Sequence, residues 1–224
     1  MSQIAIWNLA LGRLGDGATV GAPDERSRQA ELCRQFYPLA RRSVLEMRDW
    51  NFNTRTTALA AVATPDVHTN LWRFAYAFPT NALRVFQVAN TAIIAQINHS
   101  AGARRTGAAI GEEFARYTSD YEIEADDTGA RIILSNTENA VARYTVDVVD
   151  EARWSPLFTD AMSWYLASTL AGPLLLGESG RNQGRAMLQE FRMLLGEAGA
   201  SDANQGQDNR LRDQHTPDFI GARR

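Results

Sequence analysis

Residues 155–175 read SPLFTDAMSWYLASTLAGPLL, and their reading decides the fold. A serine with proline directly after it is a helix start: the hydroxyl caps a free amide, and proline fits the first helical position. From there Phe158, Ala161, Met162, Tyr165, Leu166 and Leu170 leave almost no polar face. A helix apolar nearly all round has to be buried on most of its sides. It therefore needs partner helices, and Gly172-Pro173 predicts that it bends or ends there.

The partners lie at the two ends of the chain. Residues 2–14 put Ile4, Trp7, Leu11 and Leu14 on one stripe, and residues 25–48 repeat this with Cys33, Tyr37, Ala40, Val44 and Met47. Spacings of three and four place such side chains on one helical face. A fourth helix is predicted over roughly 181–198, with Met187, Phe191, Leu194 and Ala198 as its stripe. After Arg55 the helical period disappears until Pro156. The expected fold is α+β. A discontinuous α-helical bundle from both chain ends, residues 1–60 and 151–200, carries an inserted antiparallel β domain of residues 61–150. A flexible, extended C-terminal arm of residues 201–224 follows.

Local signals refine this layout. Gly15 to Pro23 (GDGATVGAP) has the glycine content of a loop, so the first helix stops near Leu14. Asp24 is the expected cap of the second helix, with Glu25 in its first turn, and Pro38 predicts a kink or break near Arg34. The turn at Asp49-Trp50-Asn51-Phe52 ends that helix, and its two rings are expected over the bundle end. In the middle, Leu71–Phe78, Leu83–Val88 and Ile93–Ile97 read as strands. Tyr121–Ala125 and Arg131–Leu134 read as a hairpin joined through Asp126-Asp127-Thr128-Gly129. Ala140 to Val149 alternates, with Val141, Arg143, Thr145 and Asp147 opposite Ala142, Tyr144, Val146 and Val148, as in a half-buried strand.

Composition narrows the function classes. The apolar fraction of 45% and charged fraction of 22% are ordinary for a globular chain of 224 residues. No run approaches the ~18 uninterrupted apolar residues of a membrane span, and no signal peptide is read at the start, so the expected site of synthesis and residence is the cytosol. Residues 61–150 hold 7 arginines against 11 acids, a balance of −4, whereas residues 1–60 hold 8 against 6. Sequence-independent DNA binding relies on many phosphate-neutralising cations, so this is no DNA-wrapping surface. An acidic middle instead repels DNA. All 23 basic residues are arginine, a bias that interfaces favour and that a GC-rich genome also produces.

The chemistry-bearing residues do not assemble into a site. His68, His99 and His215 stand in loop-like sequence without a spaced partner, so no metal centre is read. The Asp126-Asp127-x-Gly129 run lacks the alternating ligands and distal glutamate of a calcium loop and reads as a turn. Arg104 and Arg105 lie in the glycine-containing loop 98–111, which is not a P-loop. Cys33 sits on an apolar stripe and reads as a small buried hydrophobe. Glu112, Glu113, Glu122, Glu124 and Asp126 are available to glycoside cleavage, which needs carboxylates about 5–9 Å apart, but solvated strand faces look alike. No catalytic residue and no cofactor is predicted.

Four stretches in order carry a resemblance: IWNLALGRLG (6–15), ERSRQAELCRQFYPLARRSVLEMRDWNFNTR (25–55), ARYTVDVVD (142–150) and the helix at 155–175. Together they resemble the tail tubular protein A family, the head-to-tail adaptors of short-tailed phages. That family's N-x-A-L-x-x-L-G start corresponds here to Asn8, Ala10, Leu11, Leu14 and Gly15. Its aromatic-Pro pair appears as Tyr37-Pro38, and its tryptophan-aromatic turn as Trp50 and Phe52. The resemblance spans about residues 2–200 and is weakest in the middle.

It implies a structural virion protein without enzymatic turnover, located in the virion tail after assembly in the host cytoplasm. The implied partners are the portal protein, the tail nozzle protein and further copies of itself in a dodecameric ring in the virion; alone, the chain is expected as a monomer or small oligomer, with rings forming when portal is added. DNA is met only in passage and no membrane is involved. The alternatives are a cell-wall-degrading tail enzyme, and a head-completion or tail-terminator protein of another fold. The terminal TPDFIGARR reads as a docking peptide, with Phe219 and Ile220 as apolar anchors and Arg223 and Arg224 as charged clamps.

Overall fold

The computed structural model describes residues 1–65, 70–90 and 119–205. They form an α+β structure with antiparallel strand pairing in two compact units. The first unit comprises Met1–Arg55, Asn81–Arg84 and Tyr144–Ser201; the second holds the remaining described residues.

In the first unit, helix α1 spans Gln3–Arg13 and α2 spans Arg28–Met47. Helix α3 spans Pro156–Leu175 and α4 spans Gly177–Ala203. Ser2 caps α1 by accepting a hydrogen bond from the Ala5 amide. The helix ends in a glycine-dependent motif: the Gly15 amide donates to the Gly12 carbonyl and the Asp16 amide to that of Leu11. Gly15 stands at φ 76°, a left-handed conformation that glycine adopts without steric cost. The buried face is broader than one stripe: Ile6, Trp7, Ala10, Leu11 and Leu14 go inside, while Ile4 is only half-buried.

Helix α2 starts later than its acidic signal predicts. Ser27, not Asp24, is the cap, accepting from the Ala30 amide at 3.3 Å. The Glu25 carboxylate turns back to the Gly21 amide at 2.7 Å, and Arg34 donates to the carbonyls of Pro23 and Glu25, fixing the approach as a turn. The helix then continues through Pro38 as one α-helix to Met47, so no break occurs there. Its inward residues are Ala30, Cys33, Tyr37, Ala40, Val44 and Leu45; Met47 is exposed, contrary to its predicted place on the stripe. The last turn leaves carbonyls without helical donors. Trp50 Nε1 donates to Val44 O at 3.3 Å and Asn53 Nδ2 to Leu45 O at 3.1 Å, which answers two of them.

Helix α3 opens as predicted, with the Ser155 hydroxyl accepting from the Phe158 amide at 3.2 Å and proline in the first turn. Both α1 and α2 pack against it. It does not stop at Gly172-Pro173 but runs to Leu175 and turns at Leu176, which is held at φ 56°. Helix α4 begins at the next residue, so it is longer than the predicted 181–198 and absorbs the first residues of the predicted arm. Its glycines are the reason. A Cβ on Gly180 would stand 2.8 Å from the Ala171 carbonyl oxygen, and one on Gly184 3.2 Å from that of Ser168. What reads as loop composition is a helix surface cut down for close approach. Further along, α4 buries Met187, Phe191 and Ala198, with Phe191 against Tyr165 at 4.8 Å between ring centres.

Three ties between polar side chains hold the first unit across long sequence separations. Arg13 pairs with Asp160 and lies 4.2 Å over the Trp164 ring. Arg41 binds Asp147 through two parallel bonds of 2.8 and 2.9 Å. Tyr37 donates its hydroxyl to Glu151 at 2.9 Å.

The strands are β1 Thr54–Ala58, β2 Ala61–Val62, β3 Phe74–Ala77, β4 Ala82–Asn90, β5 Tyr121–Ala125, β6 Arg131–Ser135 and β7 Ala140–Val146. They form a three-stranded sheet of order β1-β7-β4 and a four-stranded sheet of order β2-β3-β6-β5. In the latter, β3 opposes β6 with Tyr76 facing Ile133, and β5 opposes β6 with Ile123 facing Ile133. The predicted hairpin turn is present. Asp126 Oδ1 accepts from the Thr128 amide, the Thr128 hydroxyl and the Ala130 amide, and Gly129 stands at φ 82°.

Other strand readings need correction. Strands β1 and β2 have no counterpart in the sequence reading, because they are short and largely exposed and show no alternation. The strand predicted over Leu71–Phe78 is only Phe74–Ala77. Strand β7 ends at Val146, and its first three residues are all buried, as befits the middle strand of its sheet. The third candidate, Ile93–Ile97, lies outside the described residues.

The glycines of α4 make opposite predictions. At Gly196 nothing lies within 4 Å of a new Cβ, so Gly196→Ala should stabilise by up to about 1 kcal/mol through helix propensity alone. At Gly180 the obstacle is backbone, so Gly180→Ala should lower the melting temperature. Thermal denaturation of the two variants checks the pair; equal stabilisation would contradict the close approach of α3 and α4.

Candidate partner interface

The residues that carry the family resemblance can each be assigned a physical task, and the tasks belong to the fold. Asn8 holds the loop after α1 with two bonds to Val20, its Nδ2 donating to the carbonyl at 3.0 Å and its Oδ1 accepting from the amide at 2.8 Å. Ala10 and Leu11 are fully buried, Leu14 closes the same face, and Gly15 ends the helix. Tyr37 stands edge-on to Trp7 at 6.1 Å. Trp50 and Phe52 both meet Phe158, at 4.9 and 5.0 Å between ring centres, and Trp154 meets it from another side at 4.9 Å.

The docking residues named from the sequence, Phe219, Ile220, Arg223 and Arg224, lie outside the described residues. So do His68, His99, His215, Glu112, Glu113 and the loop 98–111. Among the carboxylates weighed for catalysis, Glu122 accepts from the Trp72 indole at 3.2 Å. Asp126 is engaged in its turn, where the Thr128 hydroxyl and then the Ala130 amide hold its carboxyl below the usual range. Glu122 and Glu124 alternate with Ile123 on β5, an edge strand among the described residues. Charge on an edge strand discourages pairing with a stray chain. Compared with protein-family models and with curated proteins, the chain finds no match. No described helix is long and apolar enough to cross a membrane.

One concave surface of the first unit was not read from the sequence. Where α3 and α4 meet, a groove of about 330 Å³ has Gly172, Gly180 and Gly184 in its wall and Arg181 and Arg185 at its side. The hydroxyls of Ser168 and Thr169, also in its lining, donate to the carbonyls of Tyr165 and Leu166 one turn back. The hydrogen-bond donors left to a visitor are therefore the guanidinium groups. At the same corner Leu175 and Leu176 are exposed, and Arg28 donates to the Pro173 carbonyl at 2.6 Å. The signal for this groove was present in the spacing Gly180-Arg181 and Gly184-Arg185. Small residues four apart mark a close helix contact, and the arginine beside each one sits at its edge.

Cys33 is fully buried on α2, and burial pushes its thiol from 9.0 up to about 12. A thiol held protonated at neutral pH is a poor nucleophile, so its task here is packing. Because the folded value is the higher one, the stabilising difference is intact below pH 9 and is lost as pH rises toward 12. Chemical denaturation at pH 8, 9.5 and 11 should show falling stability. In Cys33→Ala the slope over this range should be shallower, whatever the variant loses at neutral pH. An unchanged slope would mean that the thiol is solvated.

Proposed function

We propose that this chain is a structural virion protein, a head-to-tail adaptor that joins the portal protein to the tail nozzle protein of a short-tailed phage. In this reading the helical unit is a discontinuous bundle carrying an inserted antiparallel β domain. Twelve copies form a ring in the virion tail after assembly in the host cytoplasm. DNA passes through the ring, and the protein acts by successive interfaces without turnover.

One observation supports the reading above the others. Trp7, Tyr37, Trp50, Phe52 and Phe158, drawn from the ordered stretches of the resemblance, pack into a single core. Scattered helical patterns give no reason for such convergence, whereas a shared architecture does. The acidic middle of the chain fits a surface past which DNA must slide without adhering. In this reading the terminal segment docks on the portal or on an adjacent subunit. Phe219 and Ile220 fill an apolar pocket, while Arg223 and Arg224 pair with acids at its rim. A buried aromatic anchor is worth ~2 kcal/mol or more, and rim charges less.

Two measurements test this. Electron microscopy of virions labelled on this chain should place the label at the joint between head and tail; a label elsewhere would overturn the reading. Removing residues 215–224 should leave the melting temperature nearly unchanged yet weaken portal attachment sharply, with Phe219→Ala more damaging than Arg224→Ala. Normal attachment by the shortened chain would return the segment to a bystander.

A further inference from the structure

We propose that the α3–α4 groove of one copy seats the acidic tip of the β5–β6 hairpin of a second copy of this chain. The inference rests on the self-assembly in the functional reading above and names a contact for it.

The groove presents a pair of positive charges. Arg181 and Arg185 are one helical turn apart and exposed, and among the described residues neither has a hydrogen bond or ion pair with another side chain. Like charges at this spacing repel by a few tenths of a kcal/mol, and Glu178, three residues before Arg181, offsets only part of it. Beside them Gly172 faces open space, with nothing within 4 Å of a Cβ built on it, whereas Gly180 and Gly184 are taken up by the approach of α4 to α3. A pair of exposed guanidinium groups beside an open glycine selects a segment that offers a free carboxylate.

The same chain carries a segment of that description. The tip Asp126-Asp127-Thr128-Gly129 brings two adjacent acids to a tight turn. Asp126 spends one carboxylate oxygen on three bonds inside the turn and so fixes its shape. Asp127 is exposed, lines a shallow pocket with Ala63, Thr64 and Pro65, and has no partner among the described residues, so it is the residue that a guanidinium can take. The turn is held in advance by Asp126, so the ordering that opposes the contact falls on the two exposed arginine side chains. Groove and tip are different patches of one chain, which makes the contact head-to-tail. A head-to-tail contact closes into a ring when its rotation permits.

Sedimentation equilibrium on the full chain at low ionic strength tests the contact. Wild type should self-associate, and added salt should weaken the association. Arg181→Glu/Arg185→Glu should weaken it at least tenfold, and so should Asp127→Arg, while melting temperatures show both variants folded. Mixing these two variants should restore association, because the reversed groove of one then meets the reversed tip of the other. A variant that associates like wild type would overturn the proposal, as would a mixture that fails to recover or a wild type that stays monomeric throughout. DNA retention lost on groove reversal, with self-association intact, would make the groove a phosphate site and would also overturn it. Addition of portal separates the two readings. Rings formed equally by every variant would reject the groove contact and keep the adaptor, whereas wild type that never engages the portal would reject the adaptor itself.

Discussion

The helical unit depends on the burial of one ring, Phe158. It is fully buried, with Trp50, Phe52 and Trp154 each about one ring-width away. Aromatic pairs at such distances add ~0.5–1.5 kcal/mol each beyond the area they bury. The indoles also have polar duties. Trp50 donates to the end of α2 and Trp154 to the Val148 carbonyl, so each fixes a turn while it packs. The cluster therefore joins the exit of α2 to the entry of α3 across about a hundred residues of intervening chain. The Arg41–Asp147 and Tyr37–Glu151 ties reinforce the same junction from the α2 side. Loss of Phe158 would remove the common partner of three rings at once, which is why the entry to α3 had to be well defined in the sequence.

How much was legible follows from where the signals were local. Ser155-Pro156 could be read because cap and proline act within one turn, and Asp126–Gly129 because a carboxylate and a glycine suffice to make the turn. The start of α2 was misread because Asp24 and Ser27 are both good caps. The choice between them lies with Arg34, whose guanidinium reaches back to hold residues 23–25 as a turn. Helix α4 is longer than its propensities predict because glycine lowers helix propensity, whereas here Gly180 and Gly184 serve a close approach to α3. Strands β1 and β2 escaped for the opposite reason: little of them is buried, so hydrophobic period carries no information. The candidate groove has its signal in the spacing Gly180-Arg181 and Gly184-Arg185, but its concave shape exists only once α3 and α4 are in contact.

The motif residues illustrate what a resemblance of this kind is able to carry. Asn8 clamps a loop, Gly15 ends a helix, and Trp50 closes the end of another. None of them is spent on chemistry. They serve the architecture of the helical unit, on which many functions can be built. Surfaces carry the functional difference, and the surface features of this chain are charge without lysine, exposed leucines at the α3–α4 corner, and acids on a rigid hairpin.

Helix α4 shows how stability and surface are traded along one element. Its first three turns, GESGRNQGRA, have little to bury, and their glycines make them poor helix formers in isolation. They hold their form because α3 lies close enough for backbone to meet backbone at Gly180 and Gly184. The later turns reverse the balance, with Met187, Phe191 and Ala198 anchored in the core. A helix fixed firmly at its distal half and thinly at its proximal half keeps Arg181 and Arg185 in place without covering them. Filling the groove wall with larger side chains would force α4 away from α3 and move both guanidinium groups. The glycine spacing and the charge display are thus one structural choice, and neither is available without the other.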